Sequence, residues 1–273
     1  MAKKQPKEMS FLGHLEELRW LLVRSSTAIV VMGIVSYFFA DYIFDDLIFG
    51  PTDPSFITYR FFCEASHYLG FADSICITEL NFVIQNTEME GQVNIFVWVC
   101  ITAGFILAFP YILWEFWKFI SPALYEKERK GAKLFIFIAS ILFFLGVLFG
   151  YFVIVPMSVN FLATFTISSV VKNQFTVDSY VSMVKTAVIA SGLFFELPII
   201  IYFLTKLGLV GPNFLRKYRK YAVIIVLIIA AIVTPPDVVS QITVAIPMLL
   251  IYEASIWISV FVEKNKKKNE QTS

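Results

Sequence analysis

Apolar residues run through this chain in long blocks, and polar residues are confined to the gaps between them. Six blocks approach the roughly 20 residues a helix needs to cross a hydrocarbon core about 30 Å thick. They are Leu21–Phe44, Val93–Trp117, Leu134–Pro156, Tyr180–Leu207, Tyr221–Thr234 and Val238–Val262. The second and third are the clearest, since Gly91–Trp114 and Leu134–Val171 contain no charged residue. The fifth is short: its residues cover only roughly 21 Å as a helix. Thr234-Pro235-Pro236-Asp237 then interrupts the run, which favours two short spans joined by a tight turn over one overlong helix. Before the first block, Phe11, Leu15, Leu18 and Leu22 share one face at helical spacing, so Ser10–Leu22 is expected to form an amphipathic helix.

Composition strengthens this reading. Of the 273 residues, 58% are hydrophobic and only 16% charged, whereas a soluble domain is about a quarter charged. One water-soluble core cannot hide that much apolar surface, so the expected fold is an all-α polytopic membrane protein. Pro110, Pro156, Pro198 and Pro247 lie inside or at the end of four blocks. Each removes a backbone hydrogen bond and bends its helix, so the six helices are expected to form a bent, concave bundle.

The net charge of +1 points to no nucleic-acid partner, but the placement of charge is informative. Eighteen of the 22 Lys and Arg residues fall in the N-terminal tail, in the connections after blocks two and four, and in the C-terminal tail. The opposite connections hold Arg60 and Lys172. By the positive-inside rule both termini are cytoplasmic and the number of spans is even. The resulting plan is a cytoplasmic tail and amphipathic helix (1–20), a six-span membrane domain (21–262) with an exoplasmic loop at about 50–92, and a basic cytoplasmic tail (263–273). A polar helix ahead of the first block, with no small-residue cleavage site, argues against a cleaved signal, and the lack of anything resembling an Arg- and Ser-rich organelle transit sequence favours a bacterial inner membrane. No 20–50-residue repeat or match between halves supports an inverted-repeat carrier.

Catalytic constellations are missing. His14 and His67 fall on opposite sides of the membrane and cannot share a metal, and no HExxH, GxSxG, phosphate loop or paired CxxC is present. No cofactor is implied, and an enzyme is not expected. The exoplasmic loop is acidic and carries Cys63 and Cys76 on the face where disulfides persist. A bridge between them and a pair of free thiols are both open; Cys100, inside block two, reads as packing.

The notable residues are acids. Glu17 projects about 100° or more from the apolar stripe of the amphipathic helix, with His14 one turn earlier. A carboxylate there can pair bidentately with an arginine of a ligand, or simply be solvated beside Arg19. Glu126 and Glu128 place negative charge on an otherwise basic face, for recognition of a cation or for ion pairs with Arg129 or Lys130. Glu196, in Phe195-Glu196-Leu197-Pro198, lies within block four. An unpaired carboxylate in lipid costs roughly 2.5 kcal/mol or more, so it must face other helices, water, a partner or a proton. Pro198 leaves the carbonyl of residue 194 without its donor, adding a second polar group nearby. Its alternative is a clamp between spans. Glu115 and Glu253 sit nearer block ends, where a structural role is the simpler reading.

Five segments together resemble the TatC family, the multispanning subunit of the twin-arginine protein translocase. They are His14-Leu15-Glu16-Glu17-Leu18-Arg19, the Phe116–Arg129 stretch, Tyr151-Phe152-Val153-Ile154-Val155-Pro156, Phe195-Glu196-Leu197-Pro198 and Thr234-Pro235-Pro236-Asp237-Val238-Val239-Ser240-Gln241. Their shared order carries the likeness. It implies a receptor for folded precursors whose signals carry two consecutive arginines, acting in an oligomeric complex driven by the proton-motive force. Glu17 and Glu128 match cytoplasmic acids implicated in signal contact, and Arg19 falls in the same motif. Glu196 matches an intramembrane acid where single-span TatA- and TatB-type partners dock. Pro51 and Asp237 match an exoplasmic proline and acid, and Tyr151 and Gln241 match other motif positions. The long first loop departs from the family pattern. Two readings compete: a proton-coupled small-solute secondary transporter with Glu196 as relay, which needs more polar lining than the sequence offers, and a purely structural membrane scaffold.

Overall fold

The computed structural model describes residues 11–68, 80, 82–121, 132–168 and 171–271. The regular structure of the described residues is helical apart from two three-residue strands, with turns and short irregular connections between the elements. Helix α1 spans Phe11–Tyr37. A turn at Ala40–Tyr42, a π-helical stretch Ile43–Ile48 and a 3₁₀ turn Gly50–Thr52 lead to α2, Ile57–Tyr68. Strand β1, Val83–Gln85, precedes α3, Gly91–Ile120. Next come α4, Ala132–Phe149, a π-helical turn Gly150–Ile154 and α5, Val155–Thr164. Strand β2, Gln174–Thr176, enters α6, Val177–Phe194. The chain ends with α7 (Leu197–Lys206), α8 (Pro212–Lys217), α9 (Arg219–Val233) and α10 (Val238–Gln271).

Among the described residues, five helical stretches are long and apolar enough to cross a membrane: Gly13–Tyr37, Gly91–Ile120, Leu134–Thr164, Val177–Lys206 and Ser240–Lys266. The expected fifth span is α9, whose 15 residues rise only roughly 22 Å. Other expectations shift. The amphipathic segment and the first span form one continuous helix, α1, which ends at Tyr37 rather than Phe44. The last helix is not short, with 34 residues. Bulky apolar side chains such as Phe38, Ile232 and Trp257 are more than two-thirds exposed, as lipid-facing residues are.

Two compact units are distinguished, residues 1–43 with 93–141 and residues 44–92 with 142–273. In the first, α1 crosses α3 at glycines. A Cβ on Gly104 would lie 2.6 Å from both the Gly33 nitrogen and the Ile29 carbonyl oxygen. The backbones touch where only hydrogen fits, as at small-residue crossings in membranes.

In the second unit, proline chemistry shapes the third span. Pro156 cannot donate to residue 152, and the helix widens into the π turn just before it. The carbonyl of Phe152 instead accepts from the Thr58 hydroxyl at 2.8 Å. The neighbouring Tyr59 hydroxyl, buried, lies within hydrogen-bond distance of two proline carbonyls, Pro51 at 2.9 Å and Pro156 at 3.2 Å. The Tyr180 hydroxyl donates to Ile48 at 2.6 Å. α2 is therefore tied to the end of the third span by two hydroxyls, one meeting the Phe152 carbonyl that Pro156 leaves without a donor and one reaching the carbonyl of Pro156 itself. The strands pair in parallel, Val83 with Gln174 and Gln85 with Thr176. Ile154, Val155, Val181, Val244 and Met248 are almost fully buried.

Two outcomes are expected. Gly104→Ala forces backbones apart and costs about 1–3 kcal/mol, measurable as a lower unfolding temperature in detergent. Burial pushes the Tyr59 phenol above its ordinary range. A group whose folded pKa is raised contributes stability that is full below its unfolded pKa, about 10 for tyrosine, and is lost as pH rises above it. The phenolate absorbance of Tyr59 should therefore be absent at pH 10–11 in the folded protein, and Tyr59→Phe should flatten the alkaline decline in stability.

Candidate functional site

The first unit carries a charged seam where the N-terminal turns of α1 meet the C-terminal turns of α3. The His14 ring stacks on Phe119, centroids 4.3 Å apart and planes 22° from parallel. Further along α1, Arg24 Nη1 donates to Glu115 Oε2 at 3.1 Å. Lys118 Nζ donates to Glu115 Oε1 at 2.7 Å and sits 5.8 Å from the Trp114 ring centre. Glu115 is 3% exposed, whereas both cations are about half exposed. One buried carboxylate thus serves two cations, one oxygen each, on the strong charge-assisted pattern.

Glu17 lies on the same side of α1. Successive helical residues turn by about 100°, so His14, Glu17 and Arg24 fall within roughly 80° of one another. Among the described residues, Glu17 is exposed and has no ion pair or hydrogen bond, and the same holds for Arg19. The apolar stripe beside them is uncovered, with Leu15, Leu18 and Leu22 all exposed. Glu126 and Glu128 lie outside the described residues.

Glu196 occupies a different setting in the second unit. Phe195 and Glu196 form the break between α6 and α7, and Pro198 stands in the first turn of α7. Glu196 N–H bonds Leu193 at 3.2 Å, while its carbonyl accepts from Ile199 and Ile200 at 3.0 Å. The side chain does not cap α7. It is buried, and Oε1 has no hydrogen-bond partner among the described residues. Tight packing fixes it there: a Cβ on Gly146 would meet the Ser191 carbonyl at 2.6 Å and Phe195 at 2.9 Å. Phe149 packs on Phe195 with centroids 5.5 Å apart.

The remaining motif residues make intramolecular contacts. Pro51 is buried and its carbonyl meets Tyr59. Tyr151 packs edge-on against Phe56, its hydroxyl 3.5 Å from the Asp46 carbonyl. Asp237 accepts from the Ser240 N–H at 2.7 Å, capping α10, and Gln241 donates across to the Leu227 carbonyl of α9 at 3.1 Å. Glu253 pairs with Arg219 at 2.6 Å. Cys63 is disulfide-bonded, Cys100 is free and buried, and Cys76 lies outside the described residues. No group of three or more metal-binding side chains occurs among the described residues. The motifs do not single out Arg24, Thr58 or Tyr59. A cation within one apolar run and an acid within another is the signal that reveals the first; the hydroxyls of the loop carry none.

Among the described residues, five helical stretches long and apolar enough to cross a membrane define a polytopic membrane protein. The chain belongs to the TatC family, described as Sec-independent protein translocase protein, whose sequence model matches residues 13–247. It is 45% identical over 269 residues to a TatC of Blattabacterium sp. subsp. Periplaneta americana, covering 97% of this chain and 100% of that one. Against the TatC of Aquifex aeolicus identity is 33% over 262 residues, covering 95% and 98%. The crystal structure of a twin-arginine translocase receptor, TatC, superposes with a TM-score of 0.71 at 32% identity, covering 92% of this chain and 99% of that one. The protein is thus a multi-pass subunit of a Sec-independent protein translocase, with a role in transport rather than catalysis.

The orphan carboxyl of Glu196 has a consequence for the isolated chain. Replacing a buried unsatisfied polar group by an apolar one of similar size removes a penalty of about 1–3 kcal/mol. Glu196→Leu should therefore raise the unfolding temperature of the purified protein; a lower one would mean that the carboxyl is satisfied.

Proposed function

We propose that this chain is the receptor subunit of a twin-arginine translocase, binding the signal peptides of folded precursors at its cytoplasmic face. The carrying observation is Glu17: an exposed carboxylate, without a partner among the described residues, on the face of α1 that meets α3. A diarginine signal presents two permanently charged planar forks, which separated carboxylates on one membrane face can meet. Glu128 is the second acid, supplied by the connection after α3, and Arg19 belongs to the same recognition motif. The name of the solved neighbour, a twin-arginine translocase receptor, supports the assignment. The placement of eighteen basic residues supports a topology with both termini in the cytoplasm of a bacterial inner membrane and α9 as the short fifth of six spans.

Glu196 is the docking position for single-span TatA- and TatB-type partners in an oligomeric complex. A partner side chain donating to Oε1 would satisfy the group that the chain alone leaves bare. Gln241 joins Glu196 as an intramembrane polar residue of the docking region, Pro51, Tyr151, Pro198 and Asp237 act as structural residues that hold the connections and helix breaks in place, and Cys63 bridges to Cys76. The carrier reading finds little support. A cavity of about 470 Å³ in the second unit is lined by residues including Phe82, Leu162, Asp178 and Thr234, and Glu196 does not border it.

Glu17→Ala and Glu128→Ala should each weaken binding of a twin-arginine signal peptide by about 2–5 kcal/mol, as removal of one partner from a desolvated charge pair does. Titration of a labelled peptide against the reconstituted protein measures it, and unchanged affinity in both variants removes the recognition role. A photoactivatable residue at position 17 should crosslink to a twin-arginine precursor.

A further inference from the structure

The receptor reading requires Glu17 to stay unneutralised beside two cations of its own protein. Arg24 lies on the same side of α1, about two turns away, or roughly 10 Å along the axis. Lys118 immediately precedes Phe119, whose ring stacks on His14, one turn from Glu17. Both cations are half exposed, so burial does not restrain them. At an ionic strength of 0.1 M charges interact over about 10 Å, comparable with the axial rise from Glu17 to Arg24. What restrains them is Glu115, which offers Oε2 to Arg24 and Oε1 to Lys118 from a buried position.

We propose, building on that receptor reading, that Glu115 is a positioning residue for signal recognition: it holds Arg24 and Lys118 along the α1–α3 seam and so keeps Glu17 open to an arginine of the incoming peptide. Its carboxylate does not touch the peptide. It acts by occupying both cations whose release would neutralise Glu17 or repel an arginine. A long ammonium freed from Glu115 is tethered next to Glu17 and competes there at high local concentration. The seam thus sorts its charges, with the buried acid taking the chain's own cations and the exposed acid left for the visitor.

The test uses the full chain in lipid nanodiscs and a synthetic signal peptide with two consecutive arginines, read by fluorescence anisotropy. Glu115→Gln should weaken binding about tenfold, while Glu115→Asp, which keeps the charge, should stay within about threefold of the natural chain. The triple variant Glu115→Gln/Arg24→Gln/Lys118→Gln removes the clamp and the freed cations together, and should recover natural affinity. In that background Glu17→Gln should abolish the recovery. A triple variant as weak as Glu115→Gln, or lacking binding where the single variant does not fold, would overturn the proposal and leave Glu115 as a helix clamp. Natural affinity in Glu115→Gln would overturn it too. If instead Glu17→Gln alone binds normally, the receptor reading itself fails; if Glu17→Gln is weak and Glu115→Gln normal, only the positioning role does.

Discussion

Lipid supplies no hydrogen bonds, so every charge and every displaced carbonyl within a span must find its partner inside the protein. Much of this structure obeys that requirement. Pro156 frees the carbonyl of Phe152, and a hydroxyl from α2 answers it. Arg24 enters the first long helix, and Glu115 enters the second to meet it. Thr205 and Ser259 bond each other at 2.9 Å between α7 and α10. Such contacts contribute orientation more than net stability, because the same groups would be solvated in an unfolded chain.

Set against this rule, Glu196 and Glu115 are opposites. Glu115 has both oxygens engaged by cations on its own unit. Glu196 is comparably buried, yet Oε1 meets nothing among the described residues. A chain that satisfies one intramembrane acid so fully has the means to satisfy the other. The helix break at Phe195–Glu196 and the glycine-packed surface behind it hold the carboxyl in one position.

Much of the architecture is legible in the sequence because lipid enforces a simple code: apolar blocks mark the long helices, and Thr234-Pro235-Pro236-Asp237 marks the turn between α9 and α10. The breaks are less legible. Pro198 announces a disturbance, but not that α6 would stop at Phe194 and restart at Leu197. The continuity of α1 is hidden by the change from amphipathic to wholly apolar pattern, which alters what the helix faces without altering its backbone. Among site residues, Glu17 and Glu196 stand out because acids are rare in such surroundings. The pairing of Glu115 with Arg24 does not, since it is made by the crossing of two helices that brings together residues 91 positions apart. The pairing of β1 with β2 has no local signature at all, each strand being only three residues long.

The π turn at Gly150–Ile154 also sets the rotational phase of α5. Each residue advances a helix by about 100° of azimuth, and a π turn is in effect one residue inserted into an α-helix. Val155, Ser158, Val159 and Ala163 face the interior only with that insertion counted. Losing one residue from the turn would spin α5 by more than a quarter revolution and carry its buried row out toward lipid. The length of this short segment is therefore as much a part of the protein's specification as any side chain within it.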